Sequence, residues 1–269
     1  MNRYLLPASV AGTVIGGAVL IKDYISGGIC PSKAGIIGKT VIVTGANTGI
    51  GKETALELAR RGGRIIMACR DMDKCEVAAK EIRGKTLSHS VFARHLDLSS
   101  MKSIRKFAKM INEEEEHLDI LINNAAVMRC PHWKTEDDFE MQFGVNHLGT
   151  EVTTNSLHPG VASTELGRHT GMHKSAFSST TLGPLFWILV KTPVQAAQPS
   201  VYLAVAEELE GVSGKYFDGM KEKEPAPQAQ DEAVARKLWE ISAQLVHLKE
   251  TQSLATAGTS SDIIDAHPI

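Results

Sequence analysis

The segment TGANTGIG, residues 44–51, constrains the fold of this 269-residue chain more than any other feature. A β-branched run (KTVIVTGA) leads into it, and an amphipathic stretch follows it. Gly45 allows a tight turn, Gly49 lets the backbone approach a diphosphate, and Gly51 lets helix and strand pack closely. A strand, a glycine-rich turn and a helix in this order predict a dinucleotide-binding unit, with the diphosphate on free N–H groups at the helix N-terminus.

The rest of the chain repeats the alternation of strand and helix. Predicted strands cover residues 39–46, 64–69, 90–96, 117–126 and 152–157, and predicted helices cover residues 50–61, 71–82, 99–116, 135–148, 193–208 and 231–249. Ser99 and Thr135 are the expected N-caps of two of these helices. Strands joined by helical crossovers form a parallel sheet with right-handed connections. The fold class expected is therefore α/β, a Rossmann-like doubly wound parallel sheet.

Composition excludes several classes of function. The formal net charge of −2 gives no reason to expect a nucleic-acid partner. The four cysteines and ten histidines show no spacing typical of a metal site. We therefore expect no bound metal and one α/β domain at residues 38–249, followed by a disordered tail at residues 250–269 that is rich in Ser, Thr and Ala.

Residues 1–30 form a separate apolar segment. Seventeen consecutive residues, 5–21, carry no charge, and Arg3 and Lys22 flank them. Three interpretations compete: an uncleaved membrane anchor, a cleaved signal peptide and a buried first helix. The anchor is favoured over the signal peptide because the four cysteines show no disulfide-like spacing, which argues against export.

The residue that reads the cofactor ribose is expected at the end of the second strand. That place holds Arg70, and Lys52 follows the last glycine of the turn, so two cations can bracket a 2′-phosphate. Asp71 is a contrary sign, because a carboxylate there favours NAD. The balance favours NADP(H). Asp97 ends the third strand and is expected to bond the adenine amino group, with capping of the next helix as the alternative.

These motifs together resemble the short-chain dehydrogenase/reductase family: TGANTGIG, ACRD after strand two, HLDLSS after strand three and NNAA after strand four. Within it, CPSKA, MRCPHW, FGVNHLG and HPGVASTELGRH are most similar to the retinol dehydrogenases. The resemblance implies an NADP(H)-dependent oxidoreductase acting on a retinoid or another lipophilic carbonyl or alcohol. It also implies membrane association, with the mitochondrial inner membrane favoured over the endoplasmic reticulum, and a homo-oligomer as a further expectation.

The resemblance also assigns roles to residues. Asn146 matches the catalytic asparagine that holds a water for a proton relay, and Asn124 stabilises the central strand and contacts the cofactor. The residues expected to bind the cofactor are Gly45, Asn47, Thr48, Gly49, Ile50, Gly51, Lys52, Arg70, Asp97, Asn124, Pro159, Gly160 and Thr164.

The family's acid/base pair is missing from the sequence. Its chemistry uses a tyrosine with a lysine four residues later on one helix face, and none of the four tyrosines here has that neighbour. Tyr216 comes nearest, with Lys221 five residues on, on another side of a helix. Only twelve residues separate Asn146 from Pro159, where two further strand–helix units need roughly 60–70. An alternatively spliced or mis-assembled product explains this junction most simply.

Two questions about the shortened fold stay open at this point. The strand at residues 152–157 is expected directly beside the fourth strand, in a sheet that has lost about one strand and its covering helices. The product is either a compact, weakened domain or an unstable one. Residues 182–190 are either a membrane-touching substrate lid, as the resemblance implies, or an ordinary buried helix.

Three functional hypotheses follow. The first is a retinal-reducing enzyme, the second is a non-catalytic NADP(H)-binding protein, and the third is an unstable splice product. The absence of Tyr-x-x-x-Lys favours the second and third for this chain.

Overall fold

Four parallel strands form the central sheet, in which the apolar strands β1 and β2 are buried by helices on both faces. The computed structural model describes residues 5–148, 155–166 and 188–248. The strands are β1 Thr40–Thr44, β2 Arg64–Cys69, β3 Val91–His95 and β4 Ile120–Ile122. Their order is β3-β2-β1-β4, with Val41 opposite Ile65 on one side and Ile120 on the other. The predicted parallel Rossmann-like sheet is confirmed.

Helices cover both faces of this sheet. The helices are α2 Gly49–Arg60, α3 Met72–Thr86 and α4 Met101–Glu114. Asp71 caps α3 by accepting a hydrogen bond from the Lys74 N–H at 3.1 Å. Ser100, not the predicted Ser99, caps α4, because Ser99 donates its hydroxyl to Asp97 instead.

Alternate strand residues face the two helical layers. Val43 and Met67 enter a core cluster with α2 and α3, whereas Ile42 and Ile66 enter a second cluster with Phe107 of α4. Burial on both faces explains why these strands read as continuous apolar runs rather than alternating ones.

The predicted place of the fifth strand was wrong. The strand β5 Asn155–His158 pairs in parallel with β6 Lys215–Asp218, and β6 pairs antiparallel with β7 Lys221–Lys223. These three strands form a separate sheet, so β5 does not lie beside β4. Strand β6 was not predicted, because its four residues include two charged ones.

The free edge of β4 marks where the sheet is shortened. Among the described residues, β4 pairs only with β1. It spans three residues rather than the predicted ten at 117–126, and Leu121 is 36% exposed, whereas every residue of β1 is buried. Strand β4 is short and exposed because, among the described residues, only one strand pairs with it. A strand with one partner forms only half of the inter-strand hydrogen bonds of a central strand.

The predicted helix at residues 135–148 lacks its first part, residues 135–140. Helical structure begins only at α5 Met141–Phe143 and continues as a π-helical turn, Gly144–Leu148. Thr135 does not cap a helix, because its hydroxyl accepts from the Phe139 N–H at 3.1 Å within a local turn. Glu140 caps α5 instead.

The first helix, α1 Leu5–Ser26, contains the apolar segment. Its C-terminal end is fixed to α6 Pro193–Val205, since Gln195 donates to the Ser26 hydroxyl at 2.7 Å. In the part of the chain that is described, no helix combines the length and hydropathy needed to cross a bilayer.

A second compact unit begins at Pro225. Its helix, α7 Glu232–Leu245, begins after the N-cap Asp231 and is shorter than the predicted range of 231–249. Most of the predicted lid at residues 182–190, and the tail at 250–269, lie outside the described residues.

Candidate functional site

The glycine turn has the backbone geometry that its sequence predicts. Gly45 and Gly49 have φ of +63° and +57°, a region that L side chains rarely adopt. A Cβ on Gly51 would lie 2.7 Å from the Gly45 carbonyl oxygen. Thr48 is the N-cap of α2 and makes no side-chain capping bond, so the first N–H groups of the helix are not capped by it. The turn is built to receive an anion at a helix N-terminus.

Asn124, two residues after β4, fixes the glycine turn by hydrogen bonds to its backbone. Its side-chain Nδ2 donates to the Thr44 carbonyl at 2.8 Å and to the Gly45 carbonyl at 3.3 Å. The Thr44 hydroxyl accepts from the backbone N–H groups of Asn124 and Ala125, both at 3.0 Å. These bonds lock the ends of β1 and β4 together, which is the strand-stabilising half of the role predicted for Asn124. The predicted contact with a cofactor stays a prediction.

A cleft of about 190 Å³ opens at the carboxyl ends of β1, β2 and β4. Five predicted residues line it: Gly45, Asn47, Thr48, Arg70 and Asp97. Ligands of open parallel sheets bind at this edge, outside the strand ends. Local sequence motifs alone therefore predicted five of the residues that line the cleft.

Lys52 does not face this cleft. Its ammonium binds Glu81 of α3 at 2.5 Å, and Glu81 also binds Lys85 at 2.6 Å. Hydrogen bonds from Lys52 and then Lys85 hold the pKa of Glu81 at about 2. Lys52 instead lines a neighbouring cavity of about 320 Å³. Lys74, which the sequence interpretation missed, lines both cavities; its place in the first turn of α3 was the available signal.

Asp71 is engaged as a helix cap. Its carboxylate accepts from the Lys74 backbone N–H and lies 3.2 Å from the Lys74 ammonium. The pKa of Asp71 is lowered chiefly by that backbone hydrogen bond and then by the Lys74 side chain. The Asp71 carboxylate, which argues against NADP in the sequence, is thus already engaged in capping α3.

Asp97 lines the cleft with a carboxylate partly engaged by its own loop. Oδ1 accepts from the Ser99 N–H at 2.9 Å and from the Ser99 hydroxyl at 2.7 Å. The Asp97 N–H is itself bonded to the Ser103 hydroxyl at 3.0 Å. The carboxylate is therefore oriented by the chain, which suits recognition of an amino group, and it does not cap α4.

The segment after β5 reaches the glycine turn despite the shortened sheet. A Cβ on Gly49 would lie 3.4 Å from the Thr164 side chain. Glu165 lines both cavities and was missed from the sequence. Pro159 directly follows β5, and Gly160 has φ of +88°. A Cβ on Gly160 would lie 2.9 Å from the flexible end of the Lys191 side chain, which can move, so it is the positive φ that favours glycine there.

Asn146 lies in the π-helical turn, and its side-chain amide bonds to the Val127 backbone. Its Oδ1 accepts from the Val127 N–H at 2.9 Å, and its Nδ2 donates to the Val127 carbonyl at 2.8 Å. The turn thus fixes the loop that follows β4. The role of Asn146 in a proton relay stays a prediction.

The described tyrosines do not form the missing pair. Tyr216 lies on β6 opposite Lys223, and Lys221 lies on β7, so these residues do not form a helical Tyr–Lys pair. Tyr202 lies in α6 against the core, where burial and then Glu208 raise its pKa. Tyr24 of α1 is 87% exposed. None of these three lines the cleft.

Comparison with known proteins identifies the family. The model of the short chain dehydrogenase family matches residues 39–172. Human retinol dehydrogenase 13 is 59% identical over 320 aligned positions, which cover 93% of this chain and 97% of the relative. The mouse protein of that name is 56% identical over 92% and 96%, and human retinol dehydrogenase 14 is 38% identical over 78% and 87%. The chain belongs to the short-chain dehydrogenase family.

Two solved structures are similar in fold. An uncharacterised protein from Mycobacterium paratuberculosis is 27% identical, with a TM-score of 0.59, and the match covers 82% of this chain and 97% of that one. The L-sorbose reductase of Gluconobacter frateurii, complexed with NADPH and L-sorbose, has a TM-score of 0.55 at 15% identity and covers 70% and 97%. The second likeness supports the fold alone.

The cleft fits the nicotinamide cofactors that this family uses. Gly45, Gly49 and Gly51 keep side chains out of the turn, and the N-terminus of α2 lies beside Asn47 and Thr48 of the cleft. When bound, such a cofactor supplies hydride transfer. The chain's own groups at this edge bind and orient; among the residues lining the cleft there is no tyrosine to donate or accept a proton.

Proposed function

We propose that this chain binds NADP(H) at the glycine turn and is impaired in hydride transfer. The observation that carries the proposal is the cleft at the strand ends, where the glycine turn, Arg70 and Asp97 converge. Of the residues that line it, all but Glu165 precede the shortened region. We therefore expect nucleotide binding to depend mainly on the first half of the fold.

Selection of NADP over NAD rests on two cations. Arg70 and Lys74 line the cleft together with Asp71. One oxygen of Asp71 caps α3 and the other pairs with Lys74, so two cations face one carboxylate. A guanidinium and an ammonium suit a phosphate dianion through charge-assisted hydrogen bonds. Lys52, bound to Glu81, is replaced by Lys74 in this proposal.

The substrate class comes from the relatives. Proteins named retinol dehydrogenase that share up to 59% identity with this chain support a retinoid or similar lipophilic carbonyl as the substrate of a complete enzyme. Their alignment runs over 320 positions, although this chain has 269 residues, which supports an internal segment without counterpart here. Without Tyr-x-x-x-Lys, the chain would hold the cofactor and lack the acid that protonates the product alcohol.

Membrane association through α1 is part of the proposal. The described end of α1 exposes an apolar surface, with Leu20 72% and Val14 65% accessible. Exposed aliphatic side chains of this extent gain free energy in a lipid headgroup layer. The mitochondrial inner membrane is the proposed compartment, on the resemblance of the N-terminal residues, and a homo-oligomer is proposed on the same ground.

The test is a fluorescence titration of the full chain with NADPH and with NADH. Arg70→Ala should weaken NADPH by about 1.5–3 kcal/mol, roughly 10- to 150-fold, and leave NADH nearly unchanged. Arg60→Ala, an exposed cation of α2 outside the cleft, is the matched control and should alter neither affinity. Equal losses for both cofactors would contradict the assignment of Arg70, and no binding of either would contradict the proposed function.

A further inference from the structure

Two cysteine thiols meet directly beneath the cleft. Cys69 is the last residue of β2, and Cys75 lies in the first turns of α3. Their sulfur atoms are 2.7 Å apart, and both side chains are buried, at 2% and 0% exposure. The remaining cysteines, Cys30 and Cys130, have no sulfur neighbour of this kind among the described residues. The sequence offered no sign of the pair, because a spacing of six residues is no recognised motif.

The two thiols are chemically unequal. The Cys75 thiol donates to Cys69, and this bond, with further N–H groups of Ala46 and Asn47, lowers the pKa of Cys69 against the effect of burial. The same contact and burial raise the pKa of Cys75. Cys69 is also among the residues that line the cleft, although little of it is exposed. A cysteine with a lowered pKa beside a cleft, with a second thiol in contact behind it, has the arrangement of a reactive and a resolving cysteine.

We propose that Cys69 and Cys75 are a redox-sensitive modification site, which closes to a disulfide and weakens nucleotide binding. With hydrogen peroxide as oxidant, the Cys69 thiolate attacks one peroxide oxygen, the O–O bond breaks, and hydroxide leaves to become water. Cys69 is then a sulfenic acid. The Cys75 sulfur attacks the Cys69 sulfur, the S–O bond breaks, and a second water leaves with the Cys75 proton. Two thiols have lost two electrons to the peroxide.

The bond would act on the cofactor-reading loop. A disulfide is about 2.05 Å long, so closure draws the two sulfurs together by about 0.7 Å. Between them in the chain stand Arg70, Asp71 and Lys74, two of which are the proposed phosphate cations. Oxidation also changes the Cys69 sulfur that accepts from the N–H groups of Ala46 and Asn47 in the glycine turn. Both changes disturb the site, and by reciprocity a bound nucleotide should disfavour the disulfide at equilibrium.

The chemical part of the inference is tested by disulfide mapping. The reduced full chain is treated with hydrogen peroxide, alkylated and digested with trypsin without reductant. Cleavage after Arg64, Arg70, Lys74 and Lys80 places the cysteines in peptides 65–70 and 75–80. We expect these two peptides joined, with the loss of two hydrogen atoms, and released by dithiothreitol. Cys130→Ala, the matched control, should retain the link, and Cys75→Ala should lose it.

The coupling to nucleotide rests on the proposed function and has its own readout. Peroxide-treated chain should bind NADPH at least about fivefold more weakly than reduced chain, and dithiothreitol should restore the affinity. In Cys75→Ala the closure step is absent, so this reversible loss should disappear. If the peptides stay unlinked while Cys69 is alkylated, the inference is overturned, whatever Cys75→Ala does. If the reduced chain does not bind NADPH, the proposed function fails, and the mapping alone decides the disulfide.

Discussion

At the scale of single residues, steric fit decides the nucleotide turn. Gly51 is enclosed by the Asn124 amide and the Gly45 carbonyl, whereas Gly84 of α3 has nothing within 4 Å of the place where its Cβ would be. The two glycines therefore have different structural roles. Gly51 is required by packing, and Gly84 only costs helix stability, because glycine adds backbone entropy to the unfolded chain.

Gly51→Ala should destabilise the chain by about 1–3 kcal/mol, because the added methyl must displace a backbone carbonyl or the Asn124 amide. It should also weaken NADPH binding, since the same groups shape the turn. Gly84→Ala should raise stability by about 0.5–1 kcal/mol and leave binding unchanged. Urea unfolding and NADPH titration measure both. A neutral Gly51→Ala would mean that α2 and β4 are not packed as described.

At the scale of elements, an ion pair joins the start of β2 to the end of α4. Arg64 donates through Nε and Nη2 to the two oxygens of Glu115, both at 2.7 Å, and stacks on the Phe92 ring at 4.3 Å. The Glu115 side chain is 7% exposed, whereas the neighbouring Glu114, paired with Arg94, is 38% exposed. Two adjacent glutamates thus differ mainly in burial.

Glu115→Gln should cost about 1–3 kcal/mol, towards the lower end because water reaches Arg64. Glu114→Gln should cost less than about 1 kcal/mol. The Arg64 hydrogen bond lowers the pKa of Glu115, so its contribution is present above the unfolded value of about 4.3 and is lost as pH falls through the folded value. Urea midpoints from pH 7 to pH 3 should converge for wild type and Glu115→Gln. A gap that stays constant would contradict the ion pair.

The exposed apolar side chains of α1 carry the next prediction. A chain without residues 5–21 should leave the membrane pellet and appear in the supernatant after high-salt washing, because it loses the proposed lipid contact. Leu20→Glu should weaken pelleting in the same direction, while Tyr24→Ser, beyond the segment, serves as its control. Continued pelleting of the shortened chain would place the membrane contact elsewhere, with residues 182–190 the next to test.

At the scale of the whole molecule, we expect the shortened sheet to separate nucleotide binding from chemistry. Strands β1 and β2 are buried and paired on both sides, whereas among the described residues β4 pairs only with β1, and β5 belongs to another sheet. The proposed cofactor site lies mainly on the first half of the fold and is expected to survive this change. The catalytic pair expected from the missing strand–helix units is not.

All-trans-retinal reduction by this chain should stay at background even with saturating NADPH. General acid/base catalysis supplies about 10²–10⁴-fold, and loss of the lysine's hold on the ribose removes positioning as well. A spectrophotometric assay of NADPH oxidation is the measurement, with a complete retinol dehydrogenase as positive control. Should turnover be seen, Tyr216→Phe and Lys221→Met identify whether this pair has replaced the missing one; turnover near that of the complete enzyme refutes the impairment.

The sequence by itself determined what short-range chemistry decides. The glycine turn, strands β1 to β3, the helices that follow them and the cleft residues Gly45, Asn47, Thr48, Arg70 and Asp97 could all be predicted, because glycine conformations and apolar runs are local signals. The absence of Tyr-x-x-x-Lys is likewise readable from the chain alone.

Only the tertiary structure decided what depends on partners distant in the chain. The partner of β5 was β6 rather than β4, since hydrogen-bond pairing is set by which edges are available and not by sequence proximity. Lys52 was drawn to Glu81 and Lys74 took its place at the cleft, because the packing of α2 against α3 fixes which charges meet. The Cys69–Cys75 contact arises in the same way, from the angle at which α3 returns onto β2.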